Sequence, residues 1–338
     1  MTAMKRKITI NDIAKEAGVS RSLVSSVLTN IQKGKKFYRV SEETTAKIVE
    51  IMNRYDYHPN YLARTLRSGN TRTIGVLLSD ISNRFFSILS RDIMNYAQQR
   101  GYMVMFANTD DNTENLANAI ELFSSKGVQG FIVVPSEGSE ETILHYKSQS
   151  LPIVLLDRDF PESGLSSVTL DNGKAAFILT EKLLESGHRK IEFVSYDTSV
   201  KIIHDRENGY LEAMRQHGLE GLSHIHRPEY CNSRQIEKLI LDAVDRHVEA
   251  LVFATYRMAL LGRRATLKHE VTANCEFACF NNADTFDIYE KSMWYIKQPI
   301  DLFAKDSVDL LIDTLEGKEG DETIRKIVLP PQLKNTEY

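Results

Sequence analysis

Near the N-terminus, apolar residues recur every three or four positions, which predicts amphipathic helices. Thr9 followed by Asp12 approximates a capping box at the start of the first helix, and Gly18 predicts its end. Val19 can fill the tight turn that follows, and Ser20 can cap a second helix. The residues that we expect to face inward on these two helices are Ile10, Ile13, Ala14, Ala17, Leu23, Val24, Val27 and Leu28.

A third helix is predicted after Ser41, whose hydroxyl can cap it. Its apolar positions, Ile48, Ile51, Met52 and Tyr55, would complete a small core. Two helices joined by a glycine turn and followed by a third form a helix-turn-helix unit, which is typical of DNA-binding proteins. The second helix leaves four candidate DNA-contacting residues pointing outward: Arg21, Ser22, Ser25 and Ser26.

Beyond residue 72 the pattern changes to short apolar runs alternating with longer amphipathic segments. The predicted strands cover 73–80, 102–110, 128–135, 152–157, 190–196, 249–255 and 275–280. The predicted helices cover 85–100, 114–126, 140–149, 173–186, 206–217, 235–246, 258–268 and 302–315. This alternation predicts an α/β fold of parallel, doubly wound sheets, and two consecutive sets of similar size indicate two lobes with a ligand crevice between them.

Charge is distributed unevenly between these two regions. Residues 1–72 contain fourteen Lys and Arg against six Asp and Glu, whereas the whole chain of 338 residues has a net charge of −4. A basic head on an acidic body is the asymmetry expected of a nucleic-acid-binding segment joined to a domain that does not bind nucleic acid. A solvated basic tail would show the same charge, so the assignment of this segment to DNA binding depends on its helix-turn-helix pattern.

Composition suggests a cytoplasmic protein without a membrane partner. No stretch of 18 apolar residues occurs, and the first residues lack the apolar segment of a secretory signal. The three cysteines, Cys231, Cys275 and Cys279, are too few for a disulfide framework and are not spaced like zinc ligands. We expect them to be reduced thiols, and we expect neither a metal nor a cofactor.

An enzyme is the main alternative that the core fold permits, since fold does not fix function. The chain contains no G-x-G-x-x-G, no G-x-x-x-x-G-K-[ST] and no G-x-S-x-G motif. His224 and His226 could bind a metal, but two surface histidines in a loop are the simpler interpretation. Asp110 and Asp111 resemble a catalytic carboxylate pair, yet capping of the next helix is the simpler role.

The motifs TINDIAKEAGVSRSLVSSVL, RVSEETTAKIVEIMNRYDYHPNYLARTLRSGNTRTIGVLLSDISNRFF and LPPQL resemble the LacI/GalR family of bacterial transcription regulators along nearly the whole chain. The resemblance implies a homodimeric DNA-binding regulator, usually a repressor, that reads a palindromic operator and binds a small effector between the lobes of a periplasmic-binding-protein-like core. It divides the chain into the helix-turn-helix domain (1–58), hinge helix and linker (59–71) and core (72–338). Within the core it assigns 72–170 and 299–325 to the first lobe, and 171–298 and 326–338 to the second.

The segment HPNYLARTLRSG lies between head and core. Pro59 suits a helix start and Gly69 a stop, which leaves a helix shorter than the ~12–15 residues at which isolated helices become marginally stable in water. The resemblance implies a hinge helix in the minor groove, with Leu66 wedged between base pairs; a plain dimer contact is the alternative. The remaining candidate DNA contacts are Lys33, Lys35, Lys36, Arg39, Asn60, Arg64 and Arg67.

The resemblance also implies an effector pocket. Its candidate residues are Asn83, Phe85, Phe86, Asp157, Arg206, Thr255 and Asn281. Two of these, Thr255 and Asn281, stand where the family usually has an amide or a carboxylate that contacts sugar. Because Arg84, Arg158, Arg206 and Arg257 all follow predicted strands, three alternatives stay open: a neutral sugar, a sugar-derived anion, or no ligand. The last would be a regulator without small-molecule control, and a sugar receptor with a vestigial head is a more remote alternative.

Overall fold

Two units make up the chain, Met1–Thr71 and Arg72–Tyr338. The computed structural model describes residues 8–32, 40–57, 70–271, 275–281, 293–318 and 323–336. Each unit has its own apolar core, as expected of domains that pack independently.

The first unit contains helices α1 (Ile10–Ala17), α2 (Arg21–Gln32) and α3 (Glu42–Arg54). The predicted caps of all three are confirmed. Thr9 N donates to Asp12 Oδ2 at 2.9 Å, Ser20 Oγ accepts from Leu23 N at 3.2 Å, and Ser41 Oγ accepts from Thr44 N at 3.2 Å. Gly18 ends α1 with φ at +72°, a left-handed conformation that glycine adopts without steric cost.

The core of this unit forms where helical spacing places it, with two exceptions, Tyr55 and the partly buried Leu23, neither of which belongs to the core cluster. Ile13, Val24, Val27 and Ile48 are fully buried. Tyr55 was predicted to join them, but it is 46% exposed. Tyr55 follows the last helical residue of α3, and its hydroxyl interacts with the side chain of Glu16. Tyr57 packs against the core in its place.

In the second unit, the first lobe is built on a fully parallel sheet of β1 (Thr73–Leu78), β2 (Met103–Asn108), β3 (Phe131–Val133), β4 (Ile153–Asp157), β5 (Ser166–Leu170) and β11 (Lys326–Leu329). The strand order is β11-β5-β4-β3-β1-β2. The helices of this lobe are α4 (Arg84–Gln99), α5 (Thr113–Ser125), α6 (Glu140–Ser148) and α11 (Ile300–Leu315). The α/β fold with parallel sheets is therefore confirmed.

The second lobe is built on a sheet of β6 (Ile191–Val194), β7 (His224–His226), β8 (Ala250–Phe253), β9 (Glu276–Phe280), β10 (Trp294–Lys297) and β12 (Gln332–Asn335). The strand order is β12-β10-β9-β8-β6-β7, and only β12 runs antiparallel to its neighbour. The helices are α7 (Asn172–Glu185), α8 (Lys201–Gln216), α9 (Ser233–Asp245) and α10 (Tyr256–Lys268), with a 3-10 turn at Glu220–Leu222.

The chain passes between the lobes at three points. The first two lie between β5 and α7, and between β10 and α11. The third differs from the prediction, which assigned 326–338 to the second lobe. Lys326–Leu329 pairs with β5 in the first sheet, so the chain crosses at Pro330 and Pro331, where two prolines end the strand.

His224 and His226 lie on the edge strand β7, not in a loop as predicted. The strand forms because its backbone pairs with β6. There, His226 Nε2 lies 2.6 Å from the buried Glu192 carboxylate, to which Arg246 also donates through both of its terminal nitrogens. Burial alone would raise the pKa of Glu192, but these two partners outweigh it and lower the pKa to about 2.

Replacing Glu192 with glutamine should lower the free energy of unfolding of the second lobe by about 3 kcal/mol at neutral pH. The pKa of Glu192 falls from 4.5 to about 2 in the folded state, which means that folding stabilises the charged carboxylate, and glutamine cannot carry that charge. That stability is present above the unfolded-state pKa and is lost as the pH falls from about 4.5 towards 2. The free energy of unfolding, measured with urea at several pH values, should therefore fall less steeply with decreasing pH in the variant than in the wild type. Glu212→Gln, which removes an exposed pair with Arg215, should change little.

Candidate functional site

A cavity of about 460 Å³ lies between the lobes, where the strands of both sheets end. Strands β1, β4, β6, β8 and β9 each deliver polar residues to it from their carboxyl ends, as the doubly wound fold requires. The structure brings all seven predicted pocket residues to this cavity: Asn83, Phe85, Phe86, Asp157, Arg206, Thr255 and Asn281.

Arg206 reaches the floor of the cavity from α8. This helix packs very closely on α7, since a Cβ on Gly209 would lie 2.1 Å from the carbonyl oxygen of Gly173. The close approach lets Arg206 Nε donate to Asn172 Oδ1 at 2.7 Å, while Nη1 donates to the carbonyl of Ala254 at 2.7 Å. Helix α8 begins at Lys201, five residues before the predicted start, so Arg206 lies inside it.

The guanidinium of Arg206 also stacks on Phe280, 3.9 Å from the ring centre. Burial lowers the pKa of Arg206 to about 10, because its side chain is almost completely removed from solvent. The group therefore keeps its charge at neutral pH. Within the described chain, Nη2 of this group has no hydrogen-bond partner, so it can donate to a bound molecule.

Asp157 lies at the end of β4 with φ at +66°, a left-handed conformation that non-glycine residues rarely adopt. Its carboxylate is buried, and burial raises its pKa, although the charges of Arg158 and Arg206 oppose this. Among the described residues, none donates a hydrogen bond to the carboxylate. A buried acceptor without a protein donor is suited to a ligand hydroxyl or amine.

The other predicted pocket residues also have structural tasks. Asn83 Oδ1 caps α4 by accepting from Phe85 N at 3.0 Å, and Thr255 Oγ1 caps α10. Asn281 Oδ1 is 3.4 Å from the backbone nitrogen of Gln298. The rings of Phe85 and Phe86 meet edge to face with centres 5.0 Å apart and form an apolar wall.

Asp110 and Asp111 do not cap the next helix, which was the simpler role predicted for them. Asn112 is the cap residue of α5, and both aspartates precede it in left-handed conformations. Asp111 instead accepts two hydrogen bonds from Arg158, at 2.6 and 3.1 Å. An aspartate that turns the chain after β2 thus neutralises an arginine that follows β4, although two other strands separate β2 from β4 in the sheet order β4-β3-β1-β2.

Several residues of the cavity were not singled out from the sequence. Asp80, Glu137, Tyr196, Asp197, Tyr230 and Gln298 also line it. Asp80 and Tyr196 lie two residues beyond the ends of β1 and β6, so a search of all strand ends would have found them. Nothing in the sequence points to Gln298, whose Oε1 is buried without a hydrogen-bond partner in the described part of the chain.

The candidate DNA-contacting surface lies on α2. Arg21, Ser22 and Ser26 are exposed there, and Ser25 is half-buried. Ser22 Oγ lies 2.9 Å from Ser20 Oγ at the helix start, which orients it along the first turn. Eight further predicted contacts fall outside the described residues: Lys33, Lys35, Lys36, Arg39, Asn60, Arg64, Leu66 and Arg67.

Comparison with known proteins identifies both units. Residues 9–60 match the family of bacterial regulatory proteins of the lacI type, and residues 71–293 match the periplasmic binding proteins and sugar binding domain of the LacI family. No helix in the described ranges has the length and apolar character to cross a membrane.

Relatives and solved structures agree with this match. Catabolite control protein A of Priestia megaterium is 33% identical over 258 residues, 75% of each chain. The HTH-type transcriptional repressor PurR of Aliivibrio salmonicida is 25% identical over 323 residues, 94% of this chain and 95% of its own. The lac repressor dimer bound to operator and the anti-inducer ONPF is 21% identical with a TM-score of 0.82, covering 98% of this chain and 99% of that one. The chain therefore belongs to the LacI family of bacterial regulatory proteins, and it is a DNA-binding transcription regulator rather than an enzyme.

Proposed function

We propose that this regulator is a homodimer that represses transcription from a palindromic operator, and that a neutral, sugar-like ligand in the cavity between the lobes controls its affinity for DNA. The main observation in support of a neutral ligand is the charge of the cavity. Six carboxylates but only two arginines line it among the described residues. A surplus of negative charge repels anions, so it argues against the phosphorylated or acidic sugar that the four arginines at strand ends had suggested.

Two of those four arginines are paired with carboxylates, and a third lies outside the cavity lining. Arg158 is held by both oxygens of Asp111, and Arg257 Nη1 lies 2.7 Å from Asp80 Oδ2. Arg84 is exposed on α4 and is absent from the cavity lining. Arg206 has a buried guanidinium whose Nη2 is an unused donor, and its charge interacts with the buried carboxylate of Asp157. One donor group beside one acceptor group matches a hydroxyl-bearing ligand better than an anion.

The rest of the cavity agrees with a compact polyhydroxylated ligand. Its volume lies within the range of ~300–1,000 Å³ that small-molecule sites occupy. Phe85, Phe86 and Phe280 supply apolar surface for the carbon face of a ring. Gln298 Oε1 and Arg158 Nε are buried without partners among the described residues, so a ligand or bound water can satisfy both.

The ligand class can be tested by calorimetric titration of the full chain with neutral sugars and with their phosphorylated counterparts. We expect a neutral sugar to bind at least ~10-fold more tightly than its phosphate ester, since one uncompensated like charge costs ~1.4 kcal/mol or more at close range. Tighter binding of the phosphate ester would reject the neutral class. Absence of binding by both classes would favour a regulator without small-molecule control.

Three observations support the DNA-binding half of the proposal. The head carries the excess positive charge, it has a capped helix-turn-helix, and a relative of known structure is described as a dimer bound to operator. A two-fold dimer requires an inverted repeat in its DNA site, because each subunit presents the same surface to one half-site.

Replacing Arg21 with alanine should cost ~1–3 kcal/mol of operator binding and relax the preference at one base position in each half-site. Arg21 is exposed at the first position of α2, and it is the residue on the outward face of this helix that can make a bidentate contact to guanine. The measurement is fluorescence anisotropy with operator variants at fixed salt. Lys15→Ala, on the preceding helix, serves as a charge-matched control, and a uniform loss on all operator variants would show that Arg21 contacts only phosphate.

A further inference from the structure

The two lobes are joined across the mouth of the cavity by side chains of the protein itself. Tyr256, the first residue of α10 in the second lobe, accepts a hydrogen bond from the backbone nitrogen of Arg84 at 3.1 Å. Its hydroxyl also lies 3.4 Å from Asn83 Oδ1. Asn83 and Arg84 begin α4 in the first lobe, so one phenol hydroxyl connects helix starts on both sides of the cleft.

The next residue makes a second connection. Arg257 Nη1 lies 2.7 Å from Asp80 Oδ2, and Asp80 follows β1 in the first lobe. Asp80 is held in place because its Oδ1 accepts from the backbone nitrogen of Ser82 at 2.9 Å. Both partners are about one-third exposed, so solvent can reach this ion pair and separate it.

A third connection comes from different elements. Glu137, in the loop after β3, accepts from Thr198 Oγ1 and from the backbone nitrogen of Ser199, each at 3.2 Å. Thr198 and Ser199 precede α8, the helix that carries Arg206. Three sets of contacts between the protein's own residues therefore hold the two lobes together.

We propose that Tyr256 and Arg257 form a gate, which closes the cleft of the unliganded regulator and which a ligand has to open in order to enter. Three chain crossings connect the lobes, an arrangement that permits hinge motion while the sheets stay rigid. The gate itself needs no ligand, but its consequence for selectivity rests on the proposed function of the cavity. It favours a ligand that fits wholly inside and disfavours one with a substituent that extends past Tyr256.

The gate also changes what Asn83 can offer to a ligand. Its Oδ1 already accepts from Phe85 N and faces the hydroxyl of Tyr256. Its amide nitrogen is the remaining group, so Asn83 acts as a donor towards the cavity while the gate is closed.

Distance measurements by electron spin resonance test the gate without any ligand. Spin labels at Ser125 and Lys268, which are exposed on the first and second lobes, report lobe separation in the full chain with Cys231 replaced by serine. We expect one narrow distance distribution for this background. The double variant Tyr256→Phe with Arg257→Met should lower the ratio of closed to open forms on the order of tenfold, because it removes hydrogen bonds and an ion pair at the rim.

Arg264→Met, an exposed residue on the same helix, together with Tyr146→Phe in the first lobe, is the matched control and should leave the distribution unchanged. An unchanged distribution in the Tyr256 and Arg257 variant would overturn the gate, even if the cavity proves to bind a sugar. A broadened distribution would support the gate even if no tested sugar binds. The two proposals can thus fail separately.

Discussion

Replacing Arg206 with alanine should weaken binding of the cavity ligand by about 100-fold and abolish its effect on operator affinity. Hydrogen bonds to charged groups contribute ~1.5–3 kcal/mol each, and loss of the guanidinium also removes one of the two arginine charges that compensate Asp157. Operator binding by the unliganded protein should stay close to wild type, since the head contains its own core. Anisotropy titrations with and without the ligand measure both quantities.

The alanine variant can also lower stability, because it leaves Arg158 as the one arginine that compensates the buried carboxylate of Asp157 among the described residues. Asp157→Asn therefore serves as a second variant, which keeps the size of the side chain but removes the acceptor charge. Arg215→Ala, an exposed arginine near the end of the same helix, is the control. A wild-type ligand response in both Arg206→Ala and Asp157→Asn would show that the ligand site between the lobes is misassigned.

Replacing Leu66 with alanine should reduce operator affinity on the order of 100-fold, since truncation of a tightly packed leucine costs ~2–5 kcal/mol. Leu66 lies outside the described residues, and the prediction rests on the resemblance of HPNYLARTLRSG to a minor-groove hinge helix. A segment this short needs a partner surface in order to stay helical, and a wedged leucine supplies part of it.

Ligand binding to the core should be unaffected in this variant, which separates it from the Arg206 variant. Leu267→Ala, whose side chain is 60% exposed on the second lobe, is the matched control and should bind operator normally. Normal operator binding by Leu66→Ala would exclude the wedge.

Local sequence signals predicted the central parts of the fold. Helices with polar caps and apolar stripes, such as α1 and α3, begin where Thr9 and Ser41 place them. The strands that were missed are short or polar. Gln332–Asn335 forms β12 because it pairs with β10, a partner 38 residues earlier at Trp294–Lys297, and its own sequence has little strand preference.

The cavity was predictable only in part for a similar reason. The resemblance to the family pointed to Asp157 and Asn281, and both lie at the carboxyl ends of strands, where a doubly wound fold places its ligand. The pairing of charges in the cavity could not be predicted in this way. Asp111 with Arg158 and Asp80 with Arg257 are 47 and 177 residues apart, so their neutralisation, which decides between an anionic and a neutral ligand, appears only in three dimensions.

The most direct test of the account is the coupling between cavity and operator. Operator affinity of the full chain should be measured with and without the neutral sugar that binds most tightly, and sugar affinity with and without operator. We predict that each ligand changes the Kd of the other by the same factor, between ~5- and ~150-fold, as linkage requires for a coupling of 1–3 kcal/mol. A sugar that occupies the cavity yet leaves the Kd for operator unchanged would contradict the account.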